Sequence, residues 1–257
     1  NKNMKSKILL GLGVLAVTLA VVPMFAAFEA HVINVTAQIE NALQVQTDAI
    51  DFGTVFPQEH LDKPLRIALS SSFSLEDRVD DVQYIIRQKP KCAITSNLGQ
   101  SFDPLNTATG HVVPNATTSG YTIDCGNPPR QLGTGESWGV LPSLCEYISK
   151  EPDNTPTQGN DGTTPSFHKP FTAGTSTVTW YDTHGYLSKI AQDFDDNWTI
   201  DLSVPCFGGY CAQDWEEWVR SINPQANPDD YDQDIANEHK VFGCDLWIEV
   251  TGVSKDD

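Results

Sequence analysis

Cysteines, histidines and carboxylates are the groups in this sequence whose types and spacing could do chemistry. The six cysteines are Cys92, Cys125, Cys145, Cys206, Cys211 and Cys244. An even set in an exported chain reads as disulfides. Spacing suggests Cys125 with Cys145 and Cys206 with Cys211, each closing a short loop. Cys92 with Cys244 would then join two predicted strands. A zinc site would need closely spaced Cys or His pairs, and only Cys206 and Cys211 approach that pattern. The run Asp229-Asp230-Tyr231-Asp232-Gln233-Asp234 offers hard oxygen ligands. Asp230, Asp232 and Asp234 could hold calcium, although the run lacks the glycine and the distal glutamate of an EF-hand loop. No other cofactor is expected.

Hydrolytic motifs are thin. A helical H-E-x-x-H would set two imidazoles around zinc with a glutamate base. Here His60 follows Glu59 and His239 follows Glu238, outside any such motif, while His31, His111, His168 and His184 are scattered. Gly135-Glu136-Ser137-Trp138-Gly139 matches G-x-S-x-G, but a nucleophile elbow needs a strand before the serine and a helix after it. Pro128 and Pro129 make a poor strand, so Ser137 reads as a turn residue.

Period-two alternation dominates the elements that must position these groups. Ile33, Val35, Ala37 and Ile39 fall on one face of a first strand. Leu65, Ile67 and Leu69 follow, then Val82, Tyr84 and Ile86. Later come Trp198, Ile200, Leu202 and Val204, and finally Cys244, Leu246, Ile248 and Val250. Weaker strands are expected at 43–46, 50–56, 121–124 and 176–181. Helical spacing is confined to 212–222, where Trp215, Trp218, Val219 and Ile222 share a side, and to 141–149. The pattern predicts an all-β, jelly-roll-like two-sheet sandwich with long loop insertions and one or two short helices. Residues 93–175, rich in Thr, Pro, Gly and Asn, read as one insertion within a single domain spanning 28–257.

Lys5 and Lys7 precede an uncharged apolar run from Ile8 to Ala27, interrupted by Pro23. This is the layout of a signal peptide over residues 1–27. The run is also about long enough for a retained anchor. Either way the rest of the chain is expected outside the cytoplasm, extracellular or at the cell surface, touching membrane only through this segment. The formal charge of −18 excludes nucleic-acid binding by phosphate neutralisation. Sequons occur at Asn34, Asn115 and Asn197, of which Asn115 lies in a predicted loop.

Four stretches together carry a resemblance. They are Phe52-Gly53-Thr54-Val55-Phe56-Pro57-Gln58-Glu59, Asp81-Val82-Gln83-Tyr84-Ile85-Ile86-Arg87, Val204-Pro205-Cys206-Phe207-Gly208-Gly209-Tyr210-Cys211 running on to Trp215, and Leu246-Trp247-Ile248-Glu249-Val250-Thr251-Gly252. With a signal running straight into a strand, the chain resembles the TasA/camelysin family of exported biofilm-matrix proteins over about half its length. The long middle and the six cysteines depart from shorter members. The resemblance implies a non-enzymatic fibre subunit that polymerises with itself by donor-strand exchange. Its donor would be the strand of about 28–40, with Ile33, Val35, Ala37 and Ile39 as the assembly residues. Other matrix proteins or glycans are further partners to consider. Some camelysin relatives are described as metallopeptidases, a reading the histidine pattern disfavours. The alternative class is a carbohydrate-binding jelly roll using Trp138, Trp180, Trp215, Trp218 or Trp247.

Overall fold

Among the described residues, the segments that alternate at 65–69, 82–86, 198–202 and 244–250 form strands as their spacing predicts. The computed structural model describes residues 39–47, 49–118, 120–153 and 162–255. The chain divides into two units, Asn1–Ile39 and Glu40–Asp257, and the fold below is that of the second. Its strands are β1 (Leu43–Val45), β2 (His60–Leu69), β3 (Asp81–Ser96), β4 (Ser101–Thr109), β5 (His111–Pro114), β6 (Tyr121–Asp124) and β7 (Ser137–Val140). There follow β8 (Phe171–Ala173), β9 (Val178–Trp180), β10 (Thr183–Ser188), β11 (Asp195–Ser203), β12 (Cys206–Phe207), β13 (Asp232–Gln233) and β14 (Cys244–Ser254). Two antiparallel sheets make an all-β sandwich. One has the order β1-β2-β11 and the other β10-β3-β14, with β4 and β7 on the far half of β3.

The core lies between the sheets. Leu65 and Ile67 of β2 and Trp198, Ile200 and Leu202 of β11 meet Val82, Tyr84 and Ile86 of β3 and Leu187 of β10. Leu246 and Ile248 of β14 pack on its margin. Trp198 Nε1 donates to the Tyr84 hydroxyl at 2.7 Å, which donates in turn to Asp196. This chain satisfies buried polar atoms across the core. Gly185 leaves room for the Tyr84 ring, because a Cβ there would lie 2.2 Å from Cζ. Pro64 sits inside β2 opposite Thr199. Thr199 exchanges its backbone hydrogen bonds with Glu151, so Pro64 faces it in a non-hydrogen-bonded pair and its missing N–H costs the ladder nothing.

Several expectations are corrected. Residues 141–149 are not a helix. Residues 147–151 run extended beside β11, with Ser203 N donating to Tyr147 O (2.9 Å), Ser149 N to Asp201 O (2.9 Å) and Glu151 exchanging bonds with Thr199 (3.0 and 2.7 Å). Lys150 pairs on with Thr164, and Gly162 N reaches His184 O of β10, so this segment closes one side of the sandwich. The middle region therefore supplies core as well as decoration: Leu141, Tyr147, Ile148 and Phe167 are buried. The strand expected at 50–56 does not form. The helix Trp215–Ile222 does form, and Trp215 and Val219 are buried beneath it. Phe167 takes a positive φ of 57° and sits 5.3–6.0 Å from the rings of Tyr147, Trp215, Trp218 and Tyr231, edge to face.

The disulfides are Cys92–Cys125, Cys145–Cys244 and Cys206–Cys211. The short Cys206–Cys211 loop is as expected; the other two pairs are exchanged. Cys92 lies where β3 turns from β14 to β4, within reach of the end of β6. Cys145 enters the segment beside β11 and meets the start of β14. Three disulfides fit an oxidising compartment. No helix among the described residues is long and apolar enough to cross a membrane.

Candidate functional site

The expected assembly residues divide at the edge of the described chain. Ile33, Val35 and Ala37 lie outside the described residues, as does the proposed signal segment. Ile39 is 92% exposed and stands just before the first anchored residues. There Ser70 N donates to Ala42 O and Ser70 Oγ to Asn41 O, and β1 then pairs with the end of β2.

A second feature bearing on assembly is β14. It pairs with β3 from Cys244↔Pro90 to Ser254↔Asp81, with a bulge at Thr251. Among the described residues no strand pairs with its other side. Its first half alternates as predicted, with Leu246 and Ile248 inward and Trp247 outward. Across the bulge Val250 and Val253 stay in register with core-facing Tyr84 and Val82, yet at the open edge they remain 39% and 47% exposed. An unpaired edge of this length, carrying exposed valines, is a template for another strand. Its charged side chains are few. Asp245 is held by Lys91 Nζ (2.6 Å) and Thr109 Oγ1 (2.8 Å), and Trp247 is capped by Lys89 Nζ at 3.7 Å from the ring.

The acidic run does not converge. Asp230 faces Lys169 at 3.5 Å and Asn227 at 3.3 Å, Asp232 accepts from Gly209 N at 3.2 Å, and Asp234 caps Ala236 N at 2.8 Å. Each carboxylate serves its own turn, so the calcium reading of Asp230, Asp232 and Asp234 has no common centre. The one group of potential ligands gathered among the described residues is Cys206, Cys211 and Asp232. Those two sulfurs are bonded to each other, so the zinc reading has no thiolates to use.

Ser137 opens β7 opposite Thr95, so its motif runs into a strand rather than through an elbow into a helix. Neighbouring Glu136 is clamped by Arg130 at 2.6 and 2.8 Å, and that guanidinium, with the Gly133 N–H, holds the Glu136 carboxyl down at about 2. Trp138 and Trp247 pair with Ile94 and Arg87, seven residues apart on β3, and do not cluster. Tyr121, Phe171 and Trp180 gather near the surface, with centroids 4.9 and 5.1 Å apart.

Two polar clusters escaped the sequence reading. On the first sheet, His60 Nε2 lies 3.2 Å from Asp201 Oδ2 and its Nδ1 lies 3.1 Å from Ser203 Oγ. The order carboxylate, imidazole, hydroxyl resembles a nucleophile relay. Ser203 is fully buried, however, so no substrate carbonyl can meet Oγ. Burial raises the Asp201 carboxyl, with His60 opposing.

The second cluster lies between the sheets. Lys150 is 0% exposed and Gln88 is 1% exposed. Lys150 Nζ donates to Gln88 Oε1 at 2.7 Å, His168 Nε2 lies 2.7 Å from the same oxygen, and Gln88 Nε2 donates to Cys145 O at 2.9 Å. The Cys145 carbonyl fixes which way the amide faces, so His168 must carry its proton on Nε2. Burial pushes Lys150 down to about 7, opposed by the Asp182 charge, and pushes His168 down to about 3, helped by Lys150. Asp182 itself is held by Arg87 at 2.8 and 2.6 Å. No local pattern marks these residues: Gln88 sits within a strand, and Lys150 just before a stretch with prolines at 152, 156 and 165.

No family model, curated protein or solved structure matches this chain.

Proposed function

We propose that this chain is an exported structural subunit that polymerises by strand addition, residues 28–40 of one copy pairing with the free edge of β14 in the next. The observation carrying this reading is the eleven-residue strand Cys244–Ser254, paired on one side only among the described residues and carrying exposed Val250 and Val253. The alternating residues Ile33, Val35, Ala37 and Ile39 supply a complementary strand, with backbone bonds giving strength and alternate side chains giving register. The three disulfides support use outside the cytoplasm, where they persist. The function so read is mechanical and breaks no bond.

Electron microscopy of the purified protein tests it, beside a variant lacking 27–40 and a Val250→Lys variant. Val250 is 39% exposed at the open edge, so a lysine there opposes pairing while its ammonium reaches water. Filaments from the intact chain, absent from both variants while circular dichroism stays native, are expected. Monodisperse protein at all salt concentrations overturns the reading. Filaments that survive Val250→Lys but need residues 27–40 move the acceptor away from β14. The gathering of Tyr121, Phe171 and Trp180 favours carbohydrate binding as the second reading, and glycan arrays address it.

A further inference from the structure

We propose that Lys150 and Gln88 form an intramolecular isopeptide bond that links the two sheets. The inference rests on the geometry of the buried cluster and is independent of the assembly reading. Lys150 lies in the segment beside β11 and Gln88 lies on β3, 62 residues away. Their side chains meet with both residues out of solvent.

Three requirements of amide exchange are present. First, the amine must be uncharged to attack. Burial of an ammonium needs partners, and here the hydrogen-bonded partner is one neutral amide oxygen. The carboxylate whose charge acts on the amine, Asp182, is already clamped by Arg87. The depressed basicity of Lys150 accords with this. Second, the nucleophile must be near the carbon. A 2.7 Å contact to Oε1 leaves Nζ roughly 3.5 Å from Cδ by ordinary carbonyl geometry, at the edge of near-attack range. Third, charge developing on Oε1 needs a donor. His168 Nε2–H points at that oxygen from 2.7 Å and acts as an oxyanion donor.

The step balances without an oxidant or cofactor. The Nζ lone pair forms a bond to Cδ, and the carbonyl electrons move onto Oε1 against His168. A proton passes from Nζ to Gln88 Nε2, the Cδ–Nε2 bond breaks, and ammonia leaves. The product is a secondary amide between Lys150 and Gln88. The Cys145 carbonyl holds the departing nitrogen beforehand. His168 is a positioning and donor group and is unchanged at the end.

Mass spectrometry of the full protein, purified folded and then reduced and alkylated, is the test, with masses compared with the alkylated sequence. The expected mass is lower than the sequence by one ammonia. After trypsin, the peptide beginning at Gln88 should be joined to the one spanning Lys150, with cleavage after Lys150 blocked. Lys150→Met and Gln88→Leu should each restore the full mass. In cell-free synthesis, His168→Phe should slow the ammonia loss about 100-fold, the usual size of a lost oxyanion donor. Folded wild-type protein at full mass, with the two peptides separate, overturns the proposal. So does an ammonia loss that maps to any other pair. If a variant misfolds, the wild-type peptide map alone still decides.

Discussion

Replacing His168 by glutamine should flatten the acid limb of the stability curve. The ring is buried and neutral, pushed to about 3 from an ordinary 6.5 first by burial and then by the Lys150 charge. A base depressed in the fold gives stability that is complete above its unfolded value and is lost as pH falls toward its folded value. In that window the unfolded chain binds a proton that the native chain refuses. Each unit of difference is worth about 1.4 kcal/mol, so the whole window carries on the order of 5 kcal/mol, and about half of it has gone by pH 4.5 or so. If Lys150 is amidated, its charge no longer contributes. The fall then becomes smaller but keeps its sign, because burial is the larger cause. Glutamine does not titrate, and its amide can still donate to Gln88 Oε1. The assay is urea unfolding of wild type and variant, disulfides intact, near neutral pH and at about pH 4.5. All other carboxylates and histidines titrate equally in both proteins, so the change in their difference reports His168. A stability gap that is the same at both pH values would refute the argument.

Two further outcomes follow from the covalent frame and the core. Serine at Cys145 and Cys244, which close a separation of 99 residues, should cost about 5 kcal/mol in the chain-entropy model, against about 2 kcal/mol for the short Cys206–Cys211 loop; guanidinium unfolding that ranks them the other way contradicts this. Gly185→Ala drives a Cβ into the Tyr84 ring and should cost about 1–3 kcal/mol; a variant as stable as wild type in the same assay would show that the ring has room to move.

Much of the sandwich is legible along the chain because strand alternation is a local property. Leu65, Ile67 and Leu69, then Val82, Tyr84 and Ile86, then Trp198, Ile200 and Leu202 alternate strongly enough to name both their strands and their buried face. Trp215, Trp218 and Val219 do the same for the helix Trp215–Ile222. Residues 147–151 carry no such mark. They are extended because β11 on one side and Thr164 on the other satisfy their backbone groups, whereas local spacing predicted a helix over 141–149. The cysteines show the same divide. The Cys206–Cys211 loop is short enough for proximity in sequence to decide, whereas Cys92, Cys125, Cys145 and Cys244 pair according to where β3, β6 and β14 end.

The carboxylates of the acidic run do not gather for a related reason. Carboxylates close in sequence diverge when each caps its own turn, as Asp234 does for Ala236. The sequence by itself determined the strand periodicity, the even cysteine set and the acidity, all carried by neighbours a few residues apart. Which groups meet across the sandwich, Lys150 against Gln88 and His168, or His60 against Asp201 and Ser203, was decided by tertiary structure alone. Those contacts arise when distant strands are brought together to bury apolar area, and no short window of sequence contains both partners.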